Sequence, residues 1–295
     1  MSDPVIRALT VEDLDDALAL STIAGWNQRT DDWRILLRLA PAGAFAALVE
    51  TRFVGTAIGI DYGGFAWIAM MLVDPSYRGR GLGRRLLEAA MDAVPPDLPI
   101  RLDATALGRP LYQKCGFTDE ATLDRHVSSG ADRAAAPASD ADDDHFEVRP
   151  MTTSDLKTVI EQDSATFGGT RGAVLEWAFH GAAQYAHVVR SEDGPINYCL
   201  GRPGRLFDQI GPVVASDENV AEALVSAALA SAGDRPVVVD AFNARTAFGA
   251  WLRSRGFSIQ RPLIRMWRHS ESTACTIGTR SGPVGEFAIF GPEFA

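Results

Sequence analysis

The feature that most constrains the fold is a repeat. Val5-Ile6-Arg7-Ala8-Leu9-Thr10-Val11-Glu12-Asp13-Leu14 aligns with Glu147-Val148-Arg149-Pro150-Met151-Thr152-Thr153-Ser154-Asp155-Leu156, and Arg, Thr, Asp and Leu match at an offset of 142. Far downstream, Cys115-Gly116-Phe117 is answered by Arg255-Gly256-Phe257 at an offset of 140. Two anchors at nearly one offset, at both ends of a domain-sized stretch, imply an internal duplication. Each copy opens as a short strand leading into a helix, with Thr10 or Thr152 as N-cap and an acid three residues on. A chain of 295 residues fits two domains, each able to bury a core. Residues 128–146 are rich in Ala, Ser and Asp and lack hydrophobic periodicity, which predicts an exposed acidic linker. The expected organisation is a first domain over 1–127, a flexible linker over 128–146 and a second domain over 147–295.

Within the first copy, Ala44–Glu50 and Phe53–Ile60 read as paired strands, and Ala66–Val73 as a third, strongly apolar one stopped by Pro75. From Leu82, the residues Leu82, Leu86, Leu87, Ala90, Met91 and Val94 follow helical spacing until Pro95-Pro96. Ile100–Thr105 is a further strand, and a short helix from about Pro110 ends at Gly116. The alternation predicts an α/β class with a mixed sheet.

Composition removes several function classes. The net charge of −10 argues against general nucleic-acid binding, which needs clustered Lys and Arg. The three cysteines, Cys115, Cys199 and Cys275, fit neither a disulfide framework nor a zinc site, and His180, His187 and His269 match no metal spacing. No apolar run is long enough to span a bilayer, and MSDPVIRALT is no signal peptide, so no membrane role and a reducing, cytoplasmic location are expected.

The chemistry concentrates in Ser76-Tyr77-Arg78-Gly79-Arg80-Gly81-Leu82-Gly83-Arg84-Arg85. Glycines let backbone N–H groups approach a ligand closely, and a helix start carries partial positive charge, so the stretch is suited to phosphate. The dinucleotide pattern G-x-G-x-x-G fails, because Arg84 takes the third glycine's place, and the Gly-Lys-Ser/Thr of a Walker loop is absent. The match is R-x-x-G-x-G, running from Arg78 to Gly83 between an apolar strand and an amphipathic helix.

In this motif the chain resembles the GNAT superfamily of acyl-CoA-dependent N-acyltransferases, and Leu111-Tyr112-Gln113-Lys114-Cys115-Gly116-Phe117 is similar to the family's L-Y-x-K-x-G-F segment. Ala24-Gly25-Trp26-Asn27-Gln28, followed by Asp32-Trp33, resembles a phrase of bacterial tandem members in the loop after the first helix. The resemblance implies two tandem GNAT-like domains, each a mixed, mostly antiparallel twisted sheet flanked by helices. It also implies that acetyl-CoA is the co-substrate, with no metal. Met71, Leu72 and Val73 would end a splayed strand and pair with the pantetheine arm, one backbone N–H facing the thioester carbonyl. Arg78, Gly79, Arg80, Gly81, Leu82, Gly83 and Arg84 would wrap the pyrophosphate, mostly through N–H groups. Tyr112 would protonate the departing thiolate, or only pack against the pantetheine arm. Asp103 is a candidate base or anchor for a cationic acceptor, or else half of an ion pair with Arg101 or Arg125. Trp26, Asn27 and Gln28 would orient a small polar substrate, or serve packing and a turn. Thr105 departs from the asparagine usual there.

The second copy reads Gln209-Ile210-Gly211-Pro212-Val213-Val214-Ala215-Ser216-Asp217-Glu218-Asn219-Val220 at the equivalent place, without R-x-x-G-x-G. Asp217 and Glu218 stand where phosphates need positive potential, and Leu252 replaces Tyr112. This half is expected to be degenerate, shaping the acceptor cleft or an interface. Residues Phe287–Phe294 read as a final strand and cap. The expected function is acetyl transfer from acetyl-CoA to a small primary amine, by a monomer or homodimer. The alternatives are acylation of a protein lysine or N-terminus, and a non-catalytic acyl-CoA sensor.

Overall fold

The computed structural model describes residues 3–135, 147–190, 194–269 and 284–295. The chain divides into two compact units. One holds the residues up to Glu120 with a segment starting at Arg265; the other holds Ala121–Ile264 with the C-terminal residues from 276.

The first unit runs β1 (Val5–Ala8), α1 (Leu14–Ile23), α2 (Thr30–Leu39), β2 (Ala44–Val49), β3 (Arg52–Asp61), β4 (Ala66–Val73), α3 (Leu82–Asp92), β5 (Ile100–Ala104) and α4 (Arg109–Lys114). Its sheet order is β1-β2-β3-β4-β5, antiparallel as far as β4, with β5 parallel to β4. The amphipathic spacing of α3 buries Leu82, Leu86, Leu87 and Ala90 against β2, β3 and β4. On the other helices, Trp33, Ile35 and Leu36 of α2 are buried.

The second unit takes in β6 (Thr118–Ser128) from Ala121 onward, then α5 (Gly130–Ala135), β7 (Val148–Pro150), α6 (Thr153–Phe167), α7 (Gly172–Gly181), β8 (His187–Val189), β9 (Asn197–Arg202), β10 (Asp208–Ala215), α8 (Glu218–Ala232), β11 (Val237–Phe242), α9 (Thr246–Ser254), β12 (Ser258–Arg268) and β13 (Gly285–Ile289). Its strands follow the order β6-β11-β13-β10-β9-β8-β7. Phe248, Leu252, Phe257 and Phe287 join the apolar side of α8 in one buried cluster.

The repeat motif has a physical meaning in both units. Arg7 forms two 2.7 Å bonds to Asp13, and Arg149 binds Asp155 at 2.7 and 2.8 Å. Each aspartate also accepts the N–H of the capping threonine, Thr10 or Thr152, at 2.9 Å. Arg, Thr and Asp thus form one device that ties the first strand to the first helix.

Two expectations change. The halves do not each keep their last strand, as a boundary after residue 127 implies. Residues 123–128 of β6 pair antiparallel with β11 in the second unit, whereas Arg265–Arg268 of β12 belong to the first, in which β12 neighbours β5. The segment expected as a linker starts as structure, because Ser128 still belongs to β6 and Gly130–Ala135 is helical. Arg133 there donates to the carbonyls of Gly233 and Arg235, each at 2.7 Å. Residues 136–146 of that segment lie outside the described residues, as does Cys275. Among the described residues, no helix is long and apolar enough to cross a membrane.

Candidate active site

The site is built on a strand that parts from its neighbour. β4 and β5 pair only at Ala66–Ile100 and Trp67–Arg101, so the two strands separate beyond Trp67. On its other side β4 carries a bulge: Ile58 pairs with Ala69 and Thr56 with Leu72, which leaves Met70 and Met71 opposite Ala57. Met70 takes a left-handed φ of 51°, a costly conformation for a residue with a side chain. The buried hydroxyl of Thr56 holds it by donating to the Met70 carbonyl at 2.7 Å. In the bulge and just past it, Met71 and Val73 remain partly accessible and Leu72 is buried.

From Val73 the chain turns through Asp74–Gly81 into α3. Asp74 accepts the N–H of Ser76 at 2.8 Å, which starts the turn. Gly81 is the N-cap of α3 in a left-handed conformation, φ 77°, and supplies no capping side chain. A Cβ on Gly79 or Gly81 would meet no atom within 4 Å, so both glycines border open space. Among the described residues no acceptor meets the N–H groups of Gly79, Gly81, Leu82 and Gly83. Four amides without an acceptor among the described residues, at a helix start and just before it, suit an anion, and the residues present fit a pyrophosphate.

The residues expected around phosphate divide by role. Gly83 is a packing position: a Cβ there would lie 3.4 Å from Leu111 of α4 and 3.7 Å from Val73. The end of β4, the start of α3 and α4 therefore meet at one point. Leu82 offers only its amide, since its side chain is buried. The arginine side chains have local partners. Arg78 donates to the Val73 carbonyl at 3.0 Å, Arg80 to the Ser76 carbonyl at 3.0 Å, and Arg84 pairs with Glu88 at 2.8 Å.

Tyr112 is on α4 and is buried, its ring 6.0 Å from that of Phe117. Burial pushes its phenol well above the ordinary tyrosine range, so it holds its proton at neutral pH. The ring lies against Gly108, where a Cβ would stand 2.9 Å from Tyr112 Cε2. Gly108 and Thr56 are the two residues that sequence reasoning missed. The lone hydroxyl within FVGTAIGI was a visible signal for Thr56, whereas nothing local marks Gly108.

Asp103 takes the ion-pair alternative, with a different partner. Its side chain is fully buried and accepts two 2.9 Å bonds from Arg265. With both oxygens engaged by a guanidinium, it is a structural ion pair and not a free base. The partner is neither of the two considered: Arg101 pairs with Glu120 at 2.5 Å, and Arg125 with Asp240 at 2.7 and 2.8 Å. What is accessible at Asp103 is its main chain.

Trp26, Asn27 and Gln28 follow Gly25, whose φ of 71° turns the chain between α1 and α2. α1 itself contacts β3 and β4. Asn27 and Gln28 are buried and Trp26 half-buried. The Gln28 Oε1 atom is buried without a hydrogen-bond partner among the described residues, which leaves an acceptor available to a ligand N–H.

A splayed parallel strand pair, a bulge and an uncapped helix start leave backbone groups open side by side. The chain belongs to the GNAT acetyltransferases: two family models, each described as an acetyltransferase (GNAT) domain, match residues 41–119 and 159–279 in tandem. It is 29% identical over 197 residues to the uncharacterized N-acetyltransferase YitH of Bacillus subtilis, covering 66% of this chain and 67% of that protein. It is 25% identical over 248 residues to the holothin acyltransferase of Pseudoalteromonas, covering 83% and 81%. Among solved structures, a candidate acetyltransferase from Pyrococcus horikoshii superposes with a TM-score of 0.73 at 22% identity, covering 100% of this chain and 97% of that one. The chain is thus an enzyme of the acyltransferase class.

Proposed function

We propose that the first unit transfers an acetyl group from acetyl-CoA to the primary amine of a small molecule. One observation carries the reading: the open edge of β4 beyond Trp67 leads, through the Asp74–Gly81 turn, to the uncapped start of α3. Acetyl-CoA supplies an activated acyl thioester. The amides of Gly79, Gly81, Leu82 and Gly83 bind its pyrophosphate, and the backbone of Met71, Leu72 and Val73 binds the pantetheine arm as a further strand would. A backbone N–H past the Met70 bulge stabilises the oxygen that gains charge. Tyr112 gives its proton from Oη to the departing sulfur, which leaves as the thiol. With both Asp103 oxygens held by Arg265, ordered water takes the amine's proton. Trp26, Asn27 and Gln28 orient the acceptor, with the unpartnered Gln28 Oε1 receiving its N–H. A relative named for holothin acylation supports a small-molecule acceptor over a protein one.

The test has two arms. Acetyl-CoA should raise the melting temperature, and Gly81→Glu should abolish the rise by placing a carboxylate among the anion-binding amides. Thiol release is then followed over amino acids, polyamines, amino sugars and peptides. Tyr112→Phe should lower kcat by about 10²–10⁴-fold on the accepted amine. Tight binding without turnover on any amine would overturn catalysis in favour of a sensor.

A further inference from the structure

The second unit repeats the splay of the first and then fills it. β10 and β11 pair in parallel only at Asp208–Val237 and Gln209–Val238. These β10 residues stand 142 positions after Ala66 and Trp67, the last residues of β4 that pair with β5. The bulge also recurs, since Ile210 pairs with Gly201 and Val213 with Cys199, which leaves Gly211 and Pro212 opposite Leu200. Beyond this point the two units differ. β13 enters the gap and pairs antiparallel with both edges, opposite Val213, Val214 and Ala215 on β10 and opposite Asp240 and Ala241 on β11. Val213, Val214 and Ala215 are the counterparts of Met71, Leu72 and Val73.

The filling is complete at the side-chain level. Phe287, Ala288, Ile289 and Phe290 are all fully buried. The ring of Phe287 meets Phe248 edge-on at 5.6 Å, and Phe248 stands 140 positions after Gly108, the residue under the Tyr112 ring. Asp240 is wholly inaccessible, whereas the main chain of its counterpart Asp103 is open. The α8 start is closed as well, because the Asp217 side chain accepts the N–H of Val220 at 3.0 Å. The close seat of β13 requires a glycine: at Gly211, φ 149°, a Cβ would lie 2.1 Å from the Ile289 carbonyl oxygen.

We propose that β13 occupies the acyl-CoA cleft of the second unit as a built-in substitute for the pantetheine arm, so that the chain takes one acyl-CoA and the second unit takes none. The assignment of that gap as a coenzyme cleft rests on the proposed function of the first unit. Backbone hydrogen bonds from an extended segment satisfy both strand edges, which is how an added strand is recognised at a sheet edge.

Calorimetric titration of the full chain with acetyl-CoA should give one site, and Gly81→Glu should remove it; a site surviving that change would overturn the proposal. Hydrogen exchange followed by mass spectrometry gives an independent measure. The amides of 285–289 should be strongly protected in the free chain and unchanged by saturating acetyl-CoA, while those of 71–84 slow. Exposure of 285–289 by acetyl-CoA, or fast exchange without it, would overturn the proposal. Gly211→Val should speed exchange at 285–289 and lower the melting temperature, with acetyl-CoA affinity kept within twofold; unchanged protection would count against the close seat. If that variant fails to fold, exchange in the unaltered chain still decides. Absence of any acetyl-CoA binding in the unaltered chain would overturn the functional reading alone, leaving β13 to be judged by exchange.

Discussion

The two units show how one strand–loop–helix plan is kept open or closed. In the first, eight residues from Asp74 to Gly81 separate β4 from α3, and the helix begins on a glycine without a capping side chain. In the second, Ser216 and Asp217 alone separate β10 from α8, and the aspartate satisfies the helix start itself. The parallel pairing and the bulge are common to both. The difference lies in whether backbone groups at the splay and at the helix start are left for a ligand or met by the chain. The closed copy is therefore one whose open backbone groups have been satisfied from within.

The strongest test of this pairing concerns what the units share. Asp103 is bound by Arg265, and Asp240 by Arg125; each arginine comes from the opposite half of the sequence. Leu123 and Arg125 have counterparts in Leu263 and Arg265, so the exchange is reciprocal. All four side chains are buried or nearly so, and removing one partner leaves a buried charge, costing about 3–5 kcal/mol. Arg265→Met should lower urea stability by that amount and release the amides of Ile100–Ala104, although residue 265 lies in the second repeat. Arg125→Met should instead release Val237–Phe242. If each change loosened its own half, the exchange would be refuted.

Next in size is the contrast between Gly108 and Phe248. Gly108→Ala forces a Cβ to 2.9 Å from the Tyr112 ring and should move the phenol. Displacing a proton donor by about an ångström lowers kcat by about 10²-fold, with KM for acetyl-CoA little changed. A Gly108→Ala enzyme with normal kcat would remove Tyr112 from the chemistry.

A smaller effect separates Thr56 from Cys199, each of which pairs with the first residue after a bulge, Leu72 on β4 and Val213 on β10. Only the threonine holds a bulge carbonyl, that of Met70. Thr56→Val leaves that buried oxygen unmet, costing about 1–3 kcal/mol, and should lower kcat more than it raises KM. Thr56→Ser should restore turnover, and Cys199→Ser should leave it unchanged. Equal losses from Thr56→Val and Thr56→Ser would point to packing instead.

Much of this was legible because it is local. The stretch 66–92 announces itself by an apolar strand, a Pro stop, glycines and a 3.6-residue apolar spacing, and the structure places β4 and α3 there. The repeated Arg, Thr and Asp announced two similar units. The exchange was not legible, because Asp103 and Arg265 are 162 positions apart and neither carries a local sign of its partner. Base, anchor and ion-pair readings of Asp103 stay open in the sequence, because a carboxylate on a strand beside Tyr112 looks the same before and after it meets a guanidinium. The stretch from Phe287 onward could be read as a strand by its composition, but not as the strand filling the gap between β10 and β11, because sheet neighbours are set by tertiary packing.

The smallest expected difference lies in the twin caps. Arg7 holds the Asp13 carboxylate down at about 2, and Arg149, joined by Arg190, holds Asp155 lower still, below the usual carboxylate range. A carboxylate depressed in the folded state stabilises it above its unfolded value of about 3.9, and that stabilisation fades as pH falls through the folded value. Arg7 is substantially exposed, so solvent screens the pair and the cap contributes about 1 kcal/mol. Asp13→Asn should therefore lower urea stability by about 1 kcal/mol at pH 7, a difference that shrinks from about pH 4 and is nearly gone below pH 2. Asp155→Asn should show a larger difference that persists to lower pH, because two guanidiniums hold that carboxylate. Identical acid profiles for the two variants would show that Arg190 adds nothing, and that the second cap is no stronger than the first.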